Sequence, residues 1–202
     1  MTGYFEPLAG CAVVAFDDAE ISILRNCAIQ LLELIGPGEE PVDDVDDLLS
    51  SVFNHGPSEP PTDPVLARLF PDAYGDFETG ADHESRAASA EFRRYTETDL
   101  RARKRRDART MLRSLDTLEE NTDHPGAMHL GPDECRQWLG GLNDLRLAIG
   151  TRLEIVTEAD PDELLRLPDD DPRKATAMVF LWLGALQESL VDSLTGITQP
   201  KP

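Results

Sequence analysis

One stretch of the chain, residues 84–119, contains neither glycine nor proline and therefore predicts a single long helix. Its apolar stripe is clear near the start, at Phe92 and Leu100, and again over residues 111–118. Between these ends, residues 101–106 (Arg-Ala-Arg-Lys-Arg-Arg) place positive charge nearly all round the helix. A helix that loses its apolar stripe for two turns crosses solvent or faces a polar partner.

Three further helices are predicted over residues 17–36, 132–150 and 172–195, because apolar residues recur there at helical spacing. Asp17 and Glu20 have the spacing of a capping box at the start of the first of these helices. We therefore expect a mainly α fold, a single helical domain of about four main helices.

Short strands accompany these helices. The segment before residue 17 has β-forming residues and is broken by Pro7 and Gly10, which favours a small N-terminal β-hairpin or short strands. Residues 128–130 and 151–156 are further candidates for short strands.

We expect one domain over residues 1–202. The segments outside the main helices are predicted as a surface loop over 37–63 with a helical island at 47–53, one docking turn of helix at 65–70, a second surface loop over 71–83 and a loose tail at 196–202. The predicted core consists of Leu24, Leu31, Phe92, Leu112, Leu115, Trp138, Leu142, Leu145, Trp182 and Leu186.

Composition narrows the class of protein. The chain has 202 residues and a formal net charge of −20, and 40% of its residues are hydrophobic, which is enough to build a core. No apolar run approaches the length of a membrane span, and no signal-peptide pattern begins the sequence. We expect a cytoplasmic protein that does not contact membranes. No metal-site, phosphate-loop or nucleophile motif is present, so we expect no enzyme activity, metal or cofactor.

The strongest local signal is the basic run. Residues 86–113 hold ten Lys and Arg and four acidic residues, a local charge of +6 in a chain that is otherwise −26. Such a run either pairs with acidic loops of this molecule or of a second copy, or it binds an acidic protein or nucleic acid. The net charge disfavours DNA at long range. The candidate binding residues are Arg101, Arg103, Lys104, Arg105 and Arg106.

Three cysteines are the second candidate feature. Cys27 lies on or beside the apolar stripe of its helix, Cys11 lies on a short edge strand, and Cys135 lies near a helix start, where the dipole favours a thiolate but Asp133 and Glu134 oppose it. A disulfide requires Cα atoms within about 7 Å, and the sequence does not give that distance. The three cysteines are therefore either inert or candidates for redox chemistry.

Several strings, in this order, go beyond generic helical patterning: residues 29–38 (IQLLELIGPG), 63–74 (DPVLARLFPDAY), 92–96 (FRRYT), 100–105 (LRARKR), 138–153 (WLGGLNDLRLAIGTRL) and 181–188 (LWLGALQE). Together they resemble an actinobacterial family long described as a domain of unknown function and named for AosR, the actinomycete oxidative-stress regulator. The resemblance extends from Phe5 to about Leu194.

The resemblance implies a cytoplasmic, redox-responsive transcriptional regulator that acts with an alternative sigma factor on oxidative-stress genes. It also implies sensing by a Cys-x-x-x-Cys pair. This sequence departs from that pattern, because none of its three cysteines has a partner four residues away. No sensing residue is therefore carried over by position, and either a more distant pair has taken the role or this chain does not sense in that way.

Three functions follow as hypotheses. The first is a regulator that acts mainly through contact with a protein such as a sigma factor. The second is a regulator that binds promoter DNA directly through the basic run. The third is a non-regulatory adaptor or scaffold whose basic helix forms the seam of a homo-oligomer.

Overall fold

A computed structural model describes residues 3–8, 10–37, 56–75, 82–120 and 127–198 of the chain. In chain order the elements are β1 (Glu6–Leu8), β2 (Cys11–Val14), α1 (Asp18–Ile35), α2 (Pro64–Leu69), α3 (His83–Glu120), β3 (Met128–Leu130), α4 (Pro132–Arg152), α5 (Asp160–Leu165) and α6 (Pro172–Thr198). The three strands form one antiparallel sheet in the order β1-β2-β3. The prediction of a mainly α fold with a small N-terminal hairpin is confirmed, and β3 adds a third strand to that hairpin. Strand β2, which carries Cys11, is therefore the central strand, and the prediction that Cys11 lies on an edge strand is wrong.

Local capping explains where α1 begins and ends. The Glu20 N–H donates to Asp17 Oδ1 at 2.8 Å, and the Asp17 N–H donates to Glu20 Oε2 at 3.0 Å, which completes the predicted capping box. The helix ends at Gly36, whose φ of 84° is favourable only for glycine. Its buried face carries Leu24 and Leu31, as the apolar spacing predicts.

An aromatic cluster joins the sheet to the helices. The Phe5 and Phe16 rings lie 5.8 Å and 6.2 Å from the Trp138 ring of α4, measured between centroids. Phe16 also meets Trp182 of α6 edge to face at 6.4 Å. Because these rings come from both ends of the sequence, they fix the sheet against α4 and α6 at once.

Contrary to the expectation from the sequence, helix α6 is long and apolar enough, by length and composition, to cross a membrane. One third of the 18-residue stretch that meets this criterion is buried inside the fold. The buried third includes Leu183, Leu186 and Leu190, which are fully inaccessible to solvent. Across the interface with α4, Arg146 donates to Gln187 Oε1 at 2.8 Å. Part of the apolar character of α6 is therefore used in the core of this domain.

Several predicted boundaries are wrong. The segment 151–156 is not a strand: α4 continues to Arg152, and a tight turn follows in which Ile155 N–H donates to the Gly150 carbonyl at 2.9 Å. The short helix α5 was not predicted. Helix α3 already includes His83, and α6 continues to Thr198, into the segment predicted as a loose tail. The helical island at 47–53 lies outside the described residues.

The predicted core is largely confirmed, with two exceptions. Phe92 is 47% exposed, and Leu112 is only partly buried. The inward positions on that part of α3 are taken by Arg93 and Glu97, which are 4% and 3% exposed and pair with each other. Over this stretch the buried side of α3 is therefore occupied by charged side chains, and Phe92 faces solvent instead.

Helices α3 and α4 cross closely at two consecutive glycines. A Cβ added at Gly140 would overlap the Asp107 carboxylate, and one added at Gly141 would overlap the Met111 side chain, which is fully buried. Glycine is therefore required at this crossing for close approach, although it is the poorer helix former.

We predict that Gly141→Ala lowers the free energy of unfolding by about 1–3 kcal/mol, because the fully buried Met111 side chain must shift to make room for the added methyl group. The matched control is Gly184→Ala in α6, where the added methyl group would make an ordinary contact of 3.4 Å with Arg146. Urea unfolding of both variants checks the prediction. A Gly141→Ala protein as stable as the control would contradict the close crossing.

Candidate functional site

The basic helix α3 turns some of its cations inward. The Arg93 guanidinium donates to the Phe70 carbonyl at 3.0 Å and to Asp72 Oδ1 at 2.7 Å, and it also pairs with Glu97. Acceptors of this kind offset much of the cost of burying a cation, although the Arg93 Nε has no hydrogen-bond partner among the described residues. Arg93 therefore holds the segment that follows α2 against α3.

Two more cations of α3 hold the end of α1. Arg101 donates to the Ile35 carbonyl at 3.0 Å and to Glu97 Oε1 at 2.8 Å, and it lies over the Phe70 ring at 4.2 Å. Arg105 donates to the Gly36 carbonyl. Because the last turn of α1 has no basic residue of its own, these guanidinium groups supply the positive charge that a helix C-terminus favours.

Lys104 forms a buried ion pair with α4. Its Nζ lies 2.5 Å from Asp144 Oδ1, and the two side chains are 12% and 3% exposed. Burial raises the pKa of Asp144, and the hydrogen bond and charge of Lys104 oppose that rise. The pair connects α3 to α4 within one turn of the glycine crossing.

Asp107 lies next to this pair and is also buried. Burial raises the pKa of its carboxyl, and the negative charge of Asp144 adds to the rise, whereas the nearby cations Arg103, Arg106 and Lys104 lower it. The interface between α3 and α4 therefore contains two acidic side chains whose charged forms are disfavoured by their surroundings.

A different set of arginines faces outward. We call Arg103, Arg106, Arg109 and Arg113 the exposed arginine row, because they follow one another at three- or four-residue spacing and all are exposed. Arg113 donates to Thr110 Oγ1 at 2.7 Å. Within the part of the chain that the structure describes, the other three form no ion pair.

The predicted binding residues thus divide into two sets. Arg101, Lys104 and Arg105 are engaged inside the chain, whereas Arg103 and Arg106 belong to the exposed arginine row. A binding role for all five stays a prediction, and the two outward residues are the ones that a partner can reach without breaking an internal contact.

Cys135 is fully buried where the sheet meets α4. Its Sγ–H donates to the Leu130 carbonyl at 3.4 Å, and the Ala12 backbone N–H donates to the same sulfur. Burial raises the pKa of this thiol, the Ala12 N–H opposes the rise, and the neighbouring Cys11 adds to it. Cys11 and Cys135 are therefore neighbours, although 124 positions separate them along the chain.

Cys27 lies elsewhere. It is half-buried on α1, and together with Ile149 and Arg152 it lines a small cavity of about 30 Å³ at the C-terminal end of α4. Burial raises its thiol pKa, against the charge of Arg152. From Cys135 to Ile149 the helix rises roughly 21 Å at 1.5 Å per residue. Cys27 is therefore too far from Cys135 to form a disulfide with it.

A cavity of about 380 Å³ lies between the C-terminal half of α3, β3 and the first turn of α4. Its lining mixes polar and apolar side chains and both signs of charge, with Arg113, His129 and Glu134 among its residues. Among the described residues, no group of three or more His, Cys, Asp or Glu side chains is placed to hold a metal ion.

Residues 1–194 match the family described as a domain of unknown function, DUF2017. The chain belongs to this family. Two relatives of the DUF2017 chain are named oxidative stress regulator AosR, from Mycobacterium bovis and Mycobacterium tuberculosis. Each is 32% identical over 184 residues, covering 88% of this chain and 79% of the relative. A putative oxidative stress regulator AosR from Mycobacterium leprae is 31% identical over 182 residues, covering 87% and 78%. No solved structure matches the chain.

Sequence reasoning missed the internal partners of the basic run. Two signals pointed to them: the last turn of α1 lacks a basic residue, and Asp144 falls between Leu142 and Leu145 on the buried side of α4. The same reasoning named the three cysteines of this DUF2017 protein but did not show which two are neighbours.

We predict that Lys104→Met destabilises the protein by about 3–5 kcal/mol, because it leaves the Asp144 carboxylate buried without its cation. The double variant Lys104→Met with Asp144→Leu should recover most of that loss, since both charges are then gone. Arg103→Met, an exposed change on the same helix, is the control. Urea unfolding gives the three free energies, and a double variant no more stable than Lys104→Met alone would rule out the ion pair as the cause.

The raised pKa of Asp107 predicts that the stability of the protein depends on pH. Because this pKa is raised in the folded state, the folded protein binds the proton more tightly than the unfolded chain does. The buried Asp107 carboxylate therefore destabilises the protein fully at neutral pH, and this destabilisation is relieved as pH falls through the folded-state pKa. Asp107→Asn should therefore be more stable than wild type at pH 7, and the difference should shrink as pH falls towards 4. Thermal unfolding across this range measures it. The control Asp99→Asn makes the same charge change on the exposed face of α3. If Asp107→Asn is less stable than wild type at pH 7, the buried Asp107 carboxylate does not destabilise the protein as we infer.

Proposed function

We propose that this protein is a cytoplasmic, redox-responsive transcriptional regulator of oxidative-stress genes that acts mainly by contacting a protein, with a sigma factor as the expected partner. The observation that carries the proposal is the similarity, over 87–88% of the chain, to relatives named oxidative stress regulators. The pair Cys11 and Cys135 supports the redox part, and the exposed arginine row supports the contact part.

The redox element is the junction between β2, β3 and α4. A disulfide between Cys11 and Cys135 would withdraw the Cys135 sulfur from the Leu130 carbonyl and the Ala12 N–H. Those two contacts join the start of α4 to the two strands, so their loss would loosen the first turn of α4. Because α4 also carries Asp144 and the glycine crossing, the change would be transmitted to α3.

The chemistry balances with peroxide as the oxidant. Peroxide oxidises one thiol to a sulfenic acid and releases one water, and the second thiol then attacks that sulfur and releases a second water as the disulfide forms. Two electrons pass from the two sulfurs to peroxide. Cys11 is only partly buried and can be reached from solvent, whereas Cys135 is enclosed, so we assign the first oxidation to Cys11.

The experiment is thiol counting by intact mass after alkylation, before and after mild peroxide. We expect two of the three thiols to disappear together and to return with reductant, and peptide mapping should join Cys11 to Cys135. Cys27→Ser should lose two thiols in the same way, whereas Cys11→Ser should lose none to a disulfide.

Persistence of all three thiols, or capping of one only, would show that this protein does not sense through an intramolecular disulfide. A disulfide that includes Cys27 would contradict the pairing assigned here. The first outcome would leave regulation through constitutive protein contact, whereas the second would keep disulfide sensing with a different pair of cysteines.

Direct binding of promoter DNA is a second candidate, because the exposed arginine row extends for roughly 15 Å along one helix, a distance that spans several phosphates. It ranks second because the chain carries a net charge of −20 and the row is confined to a single helix. DNA affinity that falls steeply with salt and is lost in Arg103→Glu with Arg106→Glu would favour it.

A further inference from the structure

A second surface feature lies beside the exposed arginine row. A groove of about 210 Å³ is formed between residues 70–73 and α3, with Phe70, Pro71, Phe92 and Leu100 among its walls. We call it the aromatic groove. At its rim, Phe92 and Tyr74 meet edge to face at 6.0 Å, and the two side chains are 47% and 50% exposed. Clustered exposed aromatic rings of this kind typically mark a contact surface.

The groove and the arginine row lie on one line along α3. Phe92, Thr96, Asp99, Arg103 and Arg106 succeed one another at spacings of four, three, four and three residues, which is the repeat along which one helix contacts another. From Phe92 to Arg106 this line is roughly 21 Å long at 1.5 Å per residue. One end of the line is therefore aromatic and apolar, and the other end is positively charged.

The charges and the spacing of the residues along this line together indicate what kind of partner can bind there. A partner helix that follows the same repeat needs a large apolar side chain at one end, to enter the aromatic groove, and acidic side chains at the other end, to meet the arginines. A second copy of this chain does not supply this combination through α3: laid parallel it opposes arginine to arginine, and laid antiparallel it opposes arginine to the aromatic end.

We propose that the aromatic groove and the exposed arginine row together form a docking surface for an acidic amphipathic helix of a protein partner. The inference rests on the proposed function in that it describes the protein contact invoked there. It adds that the contact is anchored by an apolar side chain beside Phe92 and oriented by the arginines.

The probe is a synthetic helical peptide with a Leu and Phe anchor pair at i and i+4 followed by glutamates at heptad spacing. Two matched peptides change the anchors to serine or the glutamates to lysine. Fluorescence anisotropy with the full-length protein should show binding of the first peptide only. Phe92→Ser and Arg106→Glu should each weaken that binding about tenfold or more, as expected for anchor residues.

Two control variants make the same changes elsewhere. Tyr4→Ser removes an aromatic ring that is 55% exposed on another part of the molecule, and Arg136→Glu reverses an arginine side chain that is 66% exposed on α4. Both should leave peptide affinity unchanged within about twofold, because neither residue belongs to α3 or to the aromatic groove. Circular dichroism of all four variants checks that they remain folded.

Three outcomes would overturn the docking surface: no peptide binds, binding survives Phe92→Ser, or light scattering shows a dimer of the wild type that Phe92→Ser dissociates. The last would make a second copy the occupant. A sigma factor that binds equally well to wild type and Phe92→Ser would leave the proposed function intact and remove this inference. If the peptide binds in a way that depends on Phe92 but no sigma factor binds, the docking surface would stand and the proposed sigma factor contact would fail.

Discussion

Burial of positive charge on one side of α3 is the constraint on which the rest of the structure depends. Four cations of this helix lie wholly or partly inside the domain, and each requires an acceptor: Arg93, Arg101, Lys104 and Arg105. The acceptors come from the end of α1, from the segment after α2, from α3 itself and from Asp144 of α4. The long helix therefore holds its neighbours by polar contacts along its middle, and apolar packing with α4 resumes at Met111 and Leu115.

The two candidate functional features are both connected to the buried cations of α3 through α4. Cys135 lies in the first turn of α4, and Asp144, nine positions later on the same helix, pairs with the Lys104 ammonium. The proposed oxidation would change the first turn of the same helix that crosses α3, which is the physical route by which it would reach α3. The exposed arginine row begins at Arg103, next to that crossing. Helix α4 thus connects the Cys135 end of the sheet to the part of α3 where the exposed arginine row begins.

Most of the fold could be predicted from the sequence, and the polar core could not. Helices α1, α4 and α6 follow from apolar spacing, from the Asp17 cap and from Pro132, all of which are local signals. The exposure of Phe92 could not be predicted in this way, because the buried side of that turn is occupied by Arg93 and its partners, and those partners are distant in sequence. The neighbourhood of Cys11 and Cys135 likewise depends on the pairing of β2 with β3, which apolar periodicity does not determine.

The basic run contains buried cations and exposed arginines in alternation, and this arrangement limits which insertions and deletions the helix can accept during evolution. Each residue turns an α-helix by about 100°, so one inserted or deleted residue between Glu97 and Arg105 would rotate every later cation by more than a quarter of a turn. Arginines that now face solvent would enter the interior, and Lys104 would leave Asp144. Exchanging a side chain such as Arg103 or Arg106 breaks no internal ion pair of the described residues, whereas a change in the length of this segment would break the contacts of the buried cations.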